Sequence, residues 1–235
     1  MPSWSIHLKV GKELNKKLKL DNDLFMFGSL IPDTDKDWKK HRFEAHYYGD
    51  LKYPKCHKEN MINLTLFLDN YKDRMNNPMI IGYYCHLLTD YFYNEYIYYN
   101  KWVQDENDEI IGIKKKDDSI IDIRDNFRDS LKYKHTDLEL YGKRIFNNEE
   151  LIFPKYDDKF IESINLLKDK FITIDNVKFR IEYLNNEFKD FNKILEEEFE
   201  KDYELFTKEE LDNLLINCIK FIESKLKDVG VLSEG

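Results

Sequence analysis

The sequence predicts an all-α fold, one helical domain spanning residues 1–235. Apolar residues recur at helical spacing along most of the chain, and capping signals stand ahead of the longest apolar runs. Only 8 glycines and 5 prolines punctuate it, so no flexible linker divides it into two units.

The first predicted helix covers residues 3–20, with Ile6, Val10, Leu14 and Leu18 along one face. His7 borders that face, and Gly11 one turn on leaves space beside it. Leu24 to Ile31 reads as a buried segment that Pro32 stops, which puts Asp33 in the loop just beyond. A third helix is expected over residues 59–74. Asn77-Pro78 then supplies an N-cap and a first-turn proline for the longest helix, running to about Tyr99. Residues 105–119 break the pattern and suit either a solvated loop or a short hairpin. Helix is expected to resume near Ile121 and to carry His135. Thr207-Lys-Glu-Glu210 is a capping box for the last helix. Leu211, Leu214, Leu215, Cys218, Ile222 and Leu226 form its inward stripe. Ala45 is the single alanine, so helix propensity rests on Leu, Lys, Glu and burial.

Composition narrows the function classes. A hydrophobic content of 42% with 15% aromatic residues suffices for a sizeable core, which excludes a disordered chain. The formal charge of −9 with no basic stripe argues against a partner such as long nucleic acid. A small phosphate ester stays compatible, because a bound metal can meet its charge. Cys56, Cys85 and Cys218 are odd in number and widely spaced, so no disulfide framework is implied. The opening residues lack a basic region followed by an apolar one, and no apolar run approaches about 18 residues. The expectation is a soluble cytoplasmic protein with no transmembrane segment.

His86 and Asp90 stand four residues apart in the apolar segment Gly82-Tyr-Tyr-Cys-His86-Leu-Leu-Thr-Asp90. On a helix the two point the same way, one turn above the other. Burying an imidazole and a carboxylate among Tyr, Ile and Leu is costly unless something compensates, and a divalent cation does so. The same pair also reads as an i,i+4 contact within a core, and Asp33 as an N-cap. Of the six histidines, His7, His46 and His86 sit in apolar or aromatic surroundings. His41 and His57 lie among lysines and read as exposed; Cys56-His57 has no second Cys/His pair to complete a site. His7, His46 and His86 with Asp33 and Asp90 are a donor set that suits zinc. A carboxylate shared between two ions would hold them close enough to clamp the oxygens of a phosphate ester. Tyr91, Tyr93, Tyr96, Tyr98 and Tyr99 read as a packed or amphipathic wall.

Four segments, Ser5-Ile-His7-Leu, Gly28-Ser-Leu-Ile-Pro-Asp33, Ala45-His46-Tyr-Tyr and Gly82 to Asp90, resemble the zinc-dependent phospholipase C and P1-type single-strand nuclease superfamily. They occur in that superfamily's order over residues 1–100, with a looser likeness to about residue 140. The resemblance implies a helical bundle of the phospholipase C/P1 nuclease type with up to three zinc ions in a cleft. It implies that Asp33, His46, His86 and Asp90 hold one zinc, and that Asp90 bridges to a second held by His7. In secreted relatives the first residue's amine and carbonyl chelate that second ion. Pro2 stands five residues before His7, the spacing of one branch, so removal of Met1 would restore such terminal chelation. The remaining zinc of the superfamily takes a histidine six residues after the bridging aspartate, where this chain has Tyr96. A His-x-x-x-Glu or His-x-x-x-Asp pair follows in relatives. His135 and Glu139 have that spacing and form the candidate third site, although they also read as an exposed helix face. Asp137, Glu95 and Tyr96 are the other candidates there. Two zinc ions are expected, and a third only if such residues replace the missing ligand.

The reading that follows is a zinc-dependent phosphoesterase, a phospholipase C-like phosphodiesterase acting through a metal-bridging water. Its substrate would be a small phosphate ester or a phospholipid headgroup, and Asp33 would orient the water or take its proton. A nucleotide-directed phosphodiesterase is one alternative. A decayed metal-binding or interaction protein on the same fold is another, motivated by Tyr96. An HD-type phosphohydrolase is disfavoured because no adjacent His-Asp dipeptide occurs.

Overall fold

In the computed structural model of the protein, the described residues are 2–34, 38–48, 62–107, 109–125, 127–149, 151, 158–169, 172–186 and 193–233. Among them the chain forms ten helices and a small three-stranded sheet, a mostly helical architecture as the periodicity predicts. Helix α1 spans Trp4–Leu18 and buries Ile6, Val10 and Leu14 together with His7. Asp21 caps α2, Asn22–Gly28, by accepting the Leu24 N–H at 3.2 Å. The segment Leu24 to Gly28 is buried all round. Pro32 then lies in a 3₁₀ turn, Ile31–Asp33, that carries the aspartate.

Helix α3 is Trp38–Ala45 and α4 is Leu64–Tyr71. The expected third helix is shorter than the spacing suggests. It ends in a separate 3₁₀ turn, Lys72–Arg74, and its expected start at residues 59–61 lies outside the described residues. The Cys56-His57 pair lies outside them too. Helix α5 runs Pro78–Asn100, and the Asn77 side chain accepts the N–H groups of Met79 and Ile80. Among the described residues no helix is long and apolar enough to cross a membrane.

The segment after α5 is a hairpin pair rather than a solvated loop. Strands β1 (Trp102–Gln104), β2 (Ile110–Lys114) and β3 (Ile120–Asp122) pair antiparallel in chain order. Ile113 faces Trp102 and Ile121 across the ladder and is buried. Ile121, expected at the start of a helix, is therefore in a strand, because its β-branched run pairs with β2. Helix α6 begins at Phe127 and ends at Asn148. Helices α7 (Asp158–Asn165), α8 (Ile174–Asn186) and α9 (Glu196–Phe199) follow. Helix α10, Lys208–Asp228, opens on the expected capping box, with Glu210 N–H donating to Thr207 Oγ1 at 3.0 Å and Thr207 N–H to Glu210 Oε2 at 3.3 Å. All six residues of its apolar stripe are buried.

Helix α5 is the hub, contacting α1, α2, α4 and α10. Its crossing with α2 is the closest, and two glycines permit it. A Cβ on Gly82 would stand 2.1 Å from the Phe25 carbonyl oxygen, and one on Gly28 would stand 2.1 Å from that of Met79. Any side chain there would force the helices apart. The contact brings the chain just after α2 against the turn of α5 that carries His86.

Candidate metal centre

Five side chains from four elements meet beside this crossing. His7 comes from α1, Asp33 from the 3₁₀ turn, His46 from the end of α3, and His86 and Asp90 from α5. His7, His46, His86 and Asp90 are at most 1% exposed. His46 Nε2 lies 3.3 Å from Asp33 Oδ1, 3.3 Å from His86 Nε2 and 3.5 Å from Asp90 Oδ2. His86 Nε2 lies 3.6 Å from Asp90 Oδ2, and His7 Nε2 lies 3.4 Å from Asp90 Oδ1. The His7 and His86 rings stack at 3.9 Å. Two overlapping donor groups result, His7/His86/Asp90 and Asp33/His46/His86, each with its ligand atoms within 4.8 Å of one another.

The outer nitrogens decide what the inner ones present. His86 Nδ1 faces the Ser29 carbonyl at 2.8 Å, and His46 Nδ1 faces the Arg42 carbonyl at 2.8 Å. A carbonyl only accepts, so both Nδ1 atoms carry hydrogen. As neutral rings the two would aim Nε2 lone pairs at each other across 3.3 Å. Those lone pairs repel unless a cation or a proton lies between them. Ligand atoms around tetrahedral zinc, bonded at about 2.0–2.1 Å, stand roughly 3.3–3.4 Å apart. The Asp33–His46, His46–His86, His46–Asp90 and His86–Asp90 separations match that edge within a few tenths of an ångström.

Unmet polar atoms point the same way. Both ring nitrogens of His7 and both carboxylate oxygens of Asp90 are buried without an aligned hydrogen bond. Leaving such groups unpaired is costly, and a cation removes the cost. Burial, and then His86, lowers the His7 pKa to about 4, so its ring is neutral and able to ligate. Burial would lift the Asp90 carboxyl, yet His7 and His86 overcome it and hold the group well below the ordinary carboxylate range. Asp33 is held low likewise, against its burial, by His46. Burial works to lower His86, but Asp90 outweighs it and raises the ring above its ordinary value.

The family model "Zinc dependent phospholipase C" matches residues 5–211 of this sequence. The chain belongs to that family. No curated protein and no solved structure matches it. Membership agrees with the helical fold, and the two His/Asp groups are ones that could hold a metal such as the zinc on which the family depends.

Among the described residues, His135 and Glu139 fall outside the two donor groups, although the Asp90 charge acts on His135. His135 and Glu139 are exposed on α6, and Glu139 pairs with Lys143 at 3.6 Å. Asp137 lies on another side of the helix, where its buried carboxylate accepts the N–H groups of Glu204, Leu205 and Phe206 at 3.0, 2.7 and 3.2 Å. Tyr96 donates its hydroxyl to Glu210 at 2.6 Å, and Glu95 accepts from Tyr91 at 3.1 Å. Pro2 is buried directly ahead of α1, and Met1 lies outside the described residues. His41, expected to be exposed, is half-buried on α3.

Sequence reasoning passed over three supporting groups. Trp4 Nε1–H donates to Asp33 Oδ2 at 2.9 Å, which leaves Oδ1 facing His46. Its signal was its place one turn before His7 on α1. Ser29, through its carbonyl, sets the His86 tautomer, and only the Gly28–Gly82 contact brings it there. Tyr48, whose ring lies 6.0 Å from His46, hydrogen-bonds Asn94; burial, and then Asp90, raise its pKa, so the phenol stays protonated.

Proposed function

We propose that the protein is a zinc-dependent phosphodiesterase that binds two zinc ions and hydrolyses a small phosphodiester or a phospholipid headgroup. The observation that carries this reading is the pair of Nε2 atoms facing each other at 3.3 Å with the Asp90 carboxylate beside them. Asp33, His46, His86 and Asp90 would hold one ion, and His7 with Asp90 the other. Zinc held there would supply a Lewis acid for the phosphate oxygens and a water of lowered pKa.

The chain's own residues would do the rest. Asp33, its outer oxygen fixed by Trp4, keeps the inner oxygen oriented to align that water or accept its proton. Tyr48, protonated and with its ring 6.0 Å from that of His46, would be the donor to the leaving alcohol. Lys134 reaches Asn94, the hydrogen-bond partner of Tyr48, at 3.3 Å, so positive charge stands near for an anionic ester.

The test pairs metal analysis with turnover of bis-p-nitrophenyl phosphate and a panel of phospholipid and nucleotide esters. Two zinc ions per chain with hydrolysis supports the proposal. Full zinc occupancy without turnover on any ester favours the second reading, a metal-binding protein that has lost its chemistry. The engagement of Tyr96 by Glu210, at the position where the family places a third-zinc histidine, is what keeps that reading open.

A further inference from the structure

We propose that Asp169, on the segment after α7, is a positioning residue that aims His46 into the metal centre through the backbone of Tyr47. The inference rests on the metal-site reading above and extends it to a carboxylate far from any ligand in sequence. His46 is the last residue of the α3 turn, and Tyr47 follows with φ +51°, a left-handed conformation that costs a non-glycine residue energy. Tyr47 N–H donates to the Glu44 carbonyl at 3.0 Å and Tyr48 N–H to the Phe43 carbonyl at 3.0 Å, a Schellman closure of the helix. The Phe43 and Tyr48 rings meet edge to face at 5.6 Å, the apolar contact that accompanies such a closure. The direction of the His46 imidazole is thus set by one left-handed residue.

Something must hold that residue, and the structure supplies anchors on both sides of His46. Tyr83 on α5 donates its hydroxyl to the Ala45 carbonyl at 2.6 Å. On the other side, the Tyr47 hydroxyl donates to the Asp169 carboxylate, at 3.2 and 3.3 Å from its two oxygens. Tyr71 donates to Asp169 Oδ2 at 2.6 Å, and its own oxygen accepts the Lys168 N–H at 2.7 Å. Asn63 N–H donates to the Tyr47 carbonyl at 2.7 Å. Tyr47 and Tyr71 are 5% and 0% exposed, so the carboxylate gathers buried phenols that water does not reach. Asp169 therefore ties the segment after α7 and α4 to the turn that presents His46.

The experiment measures Co(II) and Zn(II) affinity by chelator competition, and the visible Co(II) spectrum, for the full chain and for Tyr47→Phe, Asp169→Asn and their double variant. Outer-sphere partners of metal-binding histidines are worth about 10–100-fold in metal affinity. Each single variant is expected to lose at least about tenfold and to alter the Co(II) spectrum, and the double variant to lose no more than the worse single. Thr207→Ala, which weakens α10 without touching the turn, is expected to leave affinity and spectrum unchanged. Metal binding by the parent with unaltered affinity and spectrum in both single variants overturns the inference alone. A parent chain that binds neither metal overturns the metal-site reading and this inference with it. If Asp169→Asn fails to fold, Tyr47→Phe, which removes one hydroxyl, decides the matter.

Discussion

Asp90→Asn is the perturbation that tests the centre most directly. Its two oxygens stand 3.4, 3.5 and 3.6 Å from the Nε2 atoms of His7, His46 and His86, so one carboxylate serves both donor groups. Asparagine keeps the volume, removes the charge and turns one oxygen into a donor aimed at a ring nitrogen. A ligand at a thousand times its dissociation constant stabilises the folded state by about 4 kcal/mol. For a chain of this size, each kcal/mol moves Tm by about 2–4 °C, so saturating zinc should raise Tm by about 8–16 °C. In Asp90→Asn that rise should shrink to a few degrees at the same zinc concentration, and metal content after gel filtration should fall for both ions. Asp33→Asn, whose carboxylate belongs to one donor group where Asp90 faces three histidines, should lose one ion and keep part of the rise. The assay is a thermal-unfolding series over a zinc titration, with atomic spectroscopy for stoichiometry. Retention of both ions and of the full zinc-dependent rise in Asp90→Asn would refute the reasoning.

Other expectations follow from single contacts. His86→Ala should likewise lose metal and the stability that metal confers, read by the same two assays. Gly82→Ala should cost about 3 kcal/mol or more in a urea titration, because its methyl would meet backbone at 2.1 Å; a loss under about 1 kcal/mol would show that the crossing can relax. Metal-free protein should lose stability as pH falls from 6.5 to about 4, because the unfolded His7 gains a proton there that the folded one refuses. The total is roughly 3 kcal/mol, and His7→Gln, which cannot titrate, should flatten that part of the pH profile. Thr207→Ala should cost about 1 kcal/mol through the lost cap on α10, measured as a shift in the urea midpoint at constant slope.

What was readable before folding was local. The caps at Asn77 and Thr207, the stop at Pro32 and the stripe from Leu211 to Leu226 depend on residues within a turn or two of each other. The His86–Asp90 pair belongs to the same class, because an α-helix places residues four apart on one side wherever it lies. Residues 105–119 were undecided for the converse reason: whether β2 finds partners depends on strands on either side of it, and their spacing alone does not fix the pairing.

The donor set shows the division most clearly. The sequence made His7, Asp33, His46, His86 and Asp90 candidates and offered His135 and Glu139 as a third site that reads equally as an exposed helix face. Packing groups them: α1, the turn at Asp33, the end of α3 and α5 bring the first five together, while α6 carries the last two on an exposed face and commits Asp137 to the backbone before α10. By itself, then, the sequence determined the first, the longest and the last helices, the caps at Asn77 and Thr207 and which side chains could ligate, since each follows from contacts along one stretch of chain. Only the tertiary structure decided which of them face one another. That depends on the glycine contact between α2 and α5, the left-handed turn after His46 and the carbonyls that set each tautomer, all made between residues distant along the chain.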